Sequence, residues 1–487
     1  MLLFVVYTVV LSFILLYSLV QFTLMVNYLL FLKVNPPVVV DKLDKFPVVT
    51  IQLPIYNEKY VIERLIDAVV LIQWPKECLE IQLLDDSDDE TSSIAEKKVN
   101  HYGLQGFDIQ HIRRAKRVGY KAGALAYGMS VAKGDYIAIF DADFLPGANF
   151  LNQTICHFDD LSVGVVQTKW THLNPNFSLL TKLQGFGLNN HFNVEQCGRS
   201  YAGCFINFNG TAGIWRKSCI EDAGGWQSDT LTEDLDLSYR AQLKGWRFIY
   251  RNDIESPAEL PITIDALKNQ QFRWSKGAAE CARKNLSKVI FSKQMSLFDK
   301  VNAFFHLTNS IMFLCMLVLI FLSVPLMYFS LVSPLLSSYL VLTNVFIVSS
   351  VLLAATYYVS NFNSEKPIKS CLEFIYIFPF FLAMCMGIAL FVSGGVIKGF
   401  IGIKSEFVRT PKFNVVKRKS SLKNTYSIPK INFVFFVESA LLLYAFFGLY
   451  YSIINGFFSM VFFLLLIVIG AGYSSLHTFK NAFFKKI

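Results

Sequence analysis

The sequence is poor in charge and has no paired cysteines. Only 17% of its 487 residues are charged, 53% are hydrophobic, and mean hydropathy is +0.42. Soluble domains carry about 25% charged residues, so an ordinary soluble protein is excluded. The nine cysteines contain no Cys-x-x-Cys pair and no zinc-like spacing. An odd number in a cytosol-facing domain points to reduced, mostly buried thiols, and neither Cys nor His is given a metal role. No basic residue precedes the first apolar stretch, residues 2–32. A secretory leader has a basic start and a core about half as long. The stretch therefore reads as a retained membrane helix that starts outside and ends inside at Lys33.

The formal charge of +9 is compatible with nucleic acid, but the basic residues cluster beside apolar segments. Positive-inside placement explains that clustering better, so no nucleic-acid partner is expected. Apolar residues collect in residues 2–32 and again after about residue 303, whereas 45–300 has normal globular composition. One soluble domain set between membrane segments is the simplest organisation.

Within that domain a βα rhythm is legible. Strands are predicted at Val48–Leu53, Leu79–Leu84, Phe107–Ile112 and from Tyr136 into Asp141-Ala142-Asp143. Helices are predicted from about Tyr60 and over Lys121–Ala132, and the linker Asn35-Pro36-Pro37 precedes the domain. Such alternation implies a mostly parallel sheet covered on both faces. Residues two apart on a strand share a side, which predicts that Asp141 and Asp143 project together from the strand's carboxyl end, where ligands bind in open α/β sheets. Two hard oxygen ligands suit Mg²⁺ or Mn²⁺ with a phosphorylated substrate. Further on, Phe208–Gly213 reads as a tight loop of close backbone approach. Thr232 is expected to N-cap a helix over Leu235–Leu243, and Gln270–Trp274 to lie on another helix.

Six motifs occur in order: Leu53-Pro54-Ile55-Tyr56-Asn57-Glu58, Asp85-Asp86-Ser87-Asp88-Asp89, Lys121-Ala122-Gly123, Asp141-Ala142-Asp143, Thr232-Glu233-Asp234 and Gln270-Gln271-Phe272-Arg273-Trp274. The series resembles the processive family 2 glycosyltransferases: cellulose, chitin and hyaluronan synthases and the plant cellulose-synthase-like mannan and glucan synthases. The stretch Phe208–Arg216 through Glu221–Trp226 is most similar to the cellulose-synthase-like A and C groups. The resemblance covers about residues 45–300 closely and the membrane part loosely. It implies a GT-A-type α/β domain that makes a β-glucan or β-mannan from UDP-glucose or GDP-mannose by inverting transfer. A growing polysaccharide would be the acceptor and membrane lipid a partner.

Carried onto this chain, the family pattern makes Asp234 the general base. Asp141 and Asp143 hold the divalent cation, and Lys121 and Arg273 meet the phosphates. Tyr56, Glu58 and Asp86 line the base and ribose. Asn209, Gly210, Thr211, Gln270, Gln271 and Trp274 line the acceptor end, with Trp274 stacking under the sugar. The bland reading of Asp234 is a charge at a helix start, that of Lys121 a surface helix lysine, and that of Gln270–Trp274 an aromatic anchor at a membrane-facing surface.

Three parts are expected: a membrane helix at 1–33, a cytosolic GT-A domain at 34–300, and a membrane domain at 301–487. Apolar runs cover about 303–329, 335–360, 372–397, 432–454 and 456–476. Between Lys398 and Lys430 stand nine Lys or Arg and one acid, Glu406, and the tail Lys480–Lys486 is basic too. Both fall inside if one run does not span. The run 372–397, with Pro379, Gly387 and Gly394-Gly395, is the candidate for an interfacial or re-entrant helix, leaving four spanning helices in this part. Residues 398–431 would then be cytosolic. There Phe407, Thr410 and Lys412 match the family's gating loop, with Arg409 where the family has valine. The expected location is a multi-pass membrane protein with its catalytic domain in the cytosol, in the plasma membrane or Golgi. A non-processive lipid glycosyltransferase related to ceramide glucosyltransferase is the competing enzyme. A transporter or channel would explain the spans but not six ordered motifs.

Overall fold

A computed structural model describes residues 1–34, 45–415 and 433–483. The Asn35-Pro36-Pro37 linker, residues 416–430 of the basic stretch, and Lys485 and Lys486 lie outside the described residues. A 33-residue helix, α1 (Leu2–Val34), comes first. The βα alternation follows as β1 (Val49–Ile55), α2 (Ile62–Val70), β2 (Leu79–Asp85), α3 (Thr91–Leu104), β3 (Asp108–Arg113), α4 (Tyr120–Val131) and β4 (Tyr136–Ile139). The second half of the domain has α5 (Phe150–Thr154), β5 (Val163–His172), α6 (Leu179–Asn189), a π-helical stretch Asn190–Gln196, α7 (Cys197–Tyr201), β6 (Gly213–Arg216), α8 (Lys217–Asp222), α9 (Glu233–Leu243) and β7 (Arg247–Ala258).

The seven strands form one sheet in the order β3-β2-β1-β4-β6-β5-β7. Only β6 runs antiparallel to its neighbours. This is the mostly parallel sheet that the alternation predicts, in the GT-A-like form that the resemblance implies. One face is closed by Ile62, Leu65 and Ile66 of α2 with Ala95 of α3, the other by Ala122 and Leu125 of α4 with Leu237 and Ala241 of α9. β1 and β2 are buried on both faces, so they read as near-continuous apolar runs.

After the domain come α10 (Ile264–Ile290), α11 (Leu297–Leu307), α12 (Ile311–Val332), α13 (Pro334–Leu342), α14 (Ile347–Ser360), α15 (Pro367–Ile401), α16 (Phe433–Ile454) and α17 (Phe458–Phe483). Among the described residues six helical stretches are long and apolar enough to cross a membrane, α15 among them. α15 runs unbroken through Pro379; a proline inside such a helix is tolerated where neighbours satisfy the freed carbonyl.

Both ends of α15 meet the sheet domain and its attached helices. Near its start, Glu373 pairs with Lys182 of α6 at 3.2 Å. Just before it, Asn361 accepts a hydrogen bond from Asn189 at 2.9 Å. Toward its end, Gly395 and Gly399 let it lie directly on α10. A Cβ on Gly399 would sit 2.6 Å from the Lys276 carbonyl.

Candidate active site

β4 stops at Ile139, short of the two carboxylates, which differs from the expected strand through Asp143. The Asp141 amide is taken by the Thr211 hydroxyl at 2.8 Å, and the Phe144 amide turns back to the Asp141 carbonyl at 3.0 Å. A side chain thus replaces a ladder partner, and the carboxylates leave from a turn. Both still line one cavity of about 200 Å³ at the carboxyl end of β1 and β4. Thr211 does not face that cavity as expected; it is fully buried behind it, holding Asp141 in place.

Lys121 enters from the start of α4 and donates to Asp141 Oδ1 and, at 2.9 Å, to the Gly210 carbonyl. Gly210 has φ +80, and a Cβ there would lie 2.8 Å from Asp234 Oδ2. The loop can therefore approach the Asp234 carboxylate only with glycine at this position.

Asp234 is in the first turn of α9. The expected Thr232 cap is absent: its side chain makes no cap bond, and its hydroxyl lies 3.4 Å from Cys281 Sγ instead. α10 approaches so closely at Gly277 that a Cβ there would meet Thr232 within 2.6 Å, which holds the hydroxyl away from the helix end. Asp234 Oδ1 accepts the Leu235 amide at 2.9 Å. Burial first, and then the neighbouring Glu233 charge, raises the Asp234 carboxyl above the usual carboxylate range.

The segment after α15 folds over the site. Lys412 donates to Asp143 Oδ2 at 2.7 Å and to the Glu259 carbonyl at 3.1 Å. Arg409 pairs with Glu58 at 2.9 Å and also donates to the Asn57 carbonyl. Arginine at this position therefore grips the first motif's turn. Phe407 stacks on Tyr120 with ring centroids 5.7 Å apart. Arg273 of α10 lies 4.7 Å from the Phe407 ring. Burial raises the Glu58 carboxyl to about 8, with Arg409 pulling against it.

Tyr56, Glu58, Asp86, Lys121, Asp141, Asp143, Arg273, Phe407, Thr410 and Lys412 all line the first cavity. Asp86 is also held by Arg114, whose Nε donates at 3.0 Å. A second cavity, about 440 Å³, is lined by α10, α12, α14 and α15. Asn209, Asp234, Gln270 and Trp274 line both cavities, whereas Gln271 lines only the second. Asn209 is held by Asn207 at 2.8 Å and by His191 of the π-helical stretch at 3.1 Å.

The residue reading missed Arg117 and Glu259, which also line the first cavity, as does Glu233 of the Thr232-Glu233-Asp234 motif. Arg117 ends the run Arg113-Arg114-Ala115-Lys116-Arg117, which by pattern alone reads as a solvated basic loop. Glu259 accepts the Phe413 amide at 2.8 Å, a contact across 154 residues that no local pattern signals.

Residues 47–277 match the family model described as glycosyltransferase like family 2, and residues 215–374 match cellulose synthase. Glucomannan 4-beta-mannosyltransferase 1 of Oryza sativa subsp. japonica is 41% identical over 268 residues, covering 54% of this chain and 51% of that protein. Glucomannan 4-beta-mannosyltransferase 7 of Arabidopsis thaliana is 42% identical over 260 residues, covering 52% and 47%. The chain spans about half the length of the curated relatives it matches. The mannosyltransferase PcManGT from Pyrobaculum calidifontis, solved in complex with GDP-Man and Mn²⁺, superposes with TM-score 0.54 at 18% identity, covering 82% of this chain and all of that one.

Proposed function

From these matches we propose that the chain is a cellulose-synthase-like member of the family 2 glycosyltransferases, a processive, inverting enzyme that extends a β-linked mannan or glucomannan from GDP-mannose. The observation that carries the polymer reading is that two cavities meet at Asp234 and Trp274. The first holds the carboxylates and cations that a cation-bound nucleotide diphosphate needs. The second is lined by membrane-domain helices and can receive a product chain. The choice of mannose rests on the relatives named above.

In this reading Asp234 takes the proton of the acceptor hydroxyl. Its raised proton affinity suits a base working near neutral pH. Lys121 and Arg273 meet the diphosphate, where fixed positive charge stabilises the leaving group. Trp274 offers an indole face to the acceptor sugar at the junction of the cavities, which holds the hydroxyl in line. The carboxylates of Asp141 and Asp143 fit a divalent cation. Each is met by an ammonium group, Lys121 and Lys412, so positive charge already stands against both. When bound, Mg²⁺ or Mn²⁺ would neutralise charge on the diphosphate. Arg409 and Lys412 give the gating-like segment its hold on the site.

The contacts at both ends of α15 support a helix that lies along the side of the sheet domain and does not cross. We accordingly place the catalytic domain and residues 361–371 and 398–415 on one face of the membrane, with four spanning helices after the domain.

The test is the purified full chain given labelled GDP-mannose, UDP-glucose and other nucleotide sugars with Mn²⁺, followed by product sizing and linkage analysis. Long 1,4-linked mannan is expected. A single-sugar lipid would overturn the polymer reading, and no transfer from any donor would overturn the enzyme reading.

A further inference from the structure

Arg117 has no hydrogen bond and no ion pair among the described residues, and its Nε is buried without a partner. Its guanidinium carbon lies 3.4 Å from the Tyr56 ring centroid, 5.0 Å from Tyr120 and 6.0 Å from Phe407. A distance of 3.4 Å to a centroid is face-to-face contact, so its N–H groups point sideways, parallel to the Tyr56 ring. Tyr120 holds φ +49, a conformation an aromatic residue rarely adopts and one that persists where surroundings enforce it. Three aromatic rings therefore gather around one free fork of donors, on the wall of the cavity that also holds Asp141 and Asp143.

With the diphosphate at the carboxylate and Lys121 end, the base of the same nucleotide must occupy this aromatic wall. The geometry points to Arg117 as the residue that selects the donor's base: it presents a coplanar fork to O6 and N7 of guanine. This rests on the nucleotide-sugar reading of the cavity and adds the base to it. Guanine offers two adjacent acceptors on that edge. Adenine offers one acceptor beside a donor, and uracil one acceptor beside a C–H, so neither satisfies the fork. A bidentate contact of this kind discriminates by about 1–3 kcal/mol, roughly five- to 150-fold.

The experiment is titration of nucleoside diphosphates into the full chain with Mn²⁺ present. GDP and IDP, which share O6 and N7, are expected to bind five- to 150-fold tighter than UDP and ADP. On the unaltered protein 7-deaza-GDP, which lacks N7, should lose most of that advantage. R117A and R117K should weaken GDP toward UDP and leave UDP unchanged. Lysine keeps the charge but not the fork. Equal binding of GDP and UDP by the unaltered chain, full affinity for 7-deaza-GDP, or equal loss for GDP and UDP in R117A would overturn the assignment, the last making Arg117 a diphosphate contact. Because binding is read separately from transfer, a chain that prefers GDP but transfers no sugar would sink only the enzyme reading.

Discussion

At the scale of single residues, Asp234 decides the mechanism. As a helix-end charge it is worth about 0.3–1 kcal/mol of stability; as a base it is worth roughly 10²–10⁴-fold in rate. The D234N variant is expected to bind GDP as the wild type does and to lose at least a hundredfold in turnover. Transfer within a few-fold of wild type would remove Asp234 from the base role. Burial raises its folded-state proton affinity above the ordinary value of 3.8. The acid limb of the wild-type rate profile should accordingly fall at a pH above the usual carboxylate range, since the rate is lost as pH drops through that raised value. The sign for stability is opposite. A raised carboxyl stabilises the fold at low pH and loses that contribution as pH rises, so D234N should melt no earlier than wild type at pH 8. Gly210 is the companion case. With a Cβ 2.8 Å from Asp234 Oδ2, on a backbone with φ +80, G210A is expected to displace the Asp234 carboxylate and lower turnover.

At the scale of elements, the seam between α10 and α15 sets the site's back wall. α10 carries Arg273 and Trp274, and α15 reaches it through glycines. G399A would put a Cβ 2.6 Å from the Lys276 carbonyl, a backbone atom that cannot rotate away. Overpacking of this kind costs about 1–3 kcal/mol, so a lower melting temperature and reduced turnover are expected. G394A is the control, because nothing lies within 4 Å of its Cβ. An unchanged melting temperature in G399A would show that the helices do not meet as described. The spacing of Lys121, Thr232-Glu233-Asp234 and Gln270–Trp274 marked these helices in the sequence, yet the Thr232 cap failed. Capping is a local rule, and the close approach of Gly277 on α10 is not local.

At the scale of the whole molecule, the question is which side each end of α15 faces. Cys371 is exposed beside its start, and Lys404 is exposed just past its end. An impermeant thiol reagent is expected to label Cys371, and a K404C variant in a C371S background, in the same vesicle orientation. Labelling of the two from opposite faces would make α15 a spanning helix and reverse the proposed topology. EDTA is expected to abolish transfer and Mn²⁺ or Mg²⁺ to restore it, while full activity in EDTA would dismiss Asp141 and Asp143 as cation ligands.

The sequence by itself determined the first four strands of the sheet, the division between the globular and the strongly apolar parts, and the ordered motifs whose residues line the first cavity. Those follow from period, run length and motif order, which are properties of neighbouring residues. Tertiary structure alone decided that Thr211 stands behind Asp141, that Arg117 sits face-on to Tyr56 with no hydrogen-bond partner among the described residues, and that Arg409 and Lys412 close on Glu58 and Asp143. The partners in that closure lie 351 and 269 residues apart in the chain. No local period or propensity reports such a contact, because it exists only once the helices after the domain have turned the chain back onto the sheet.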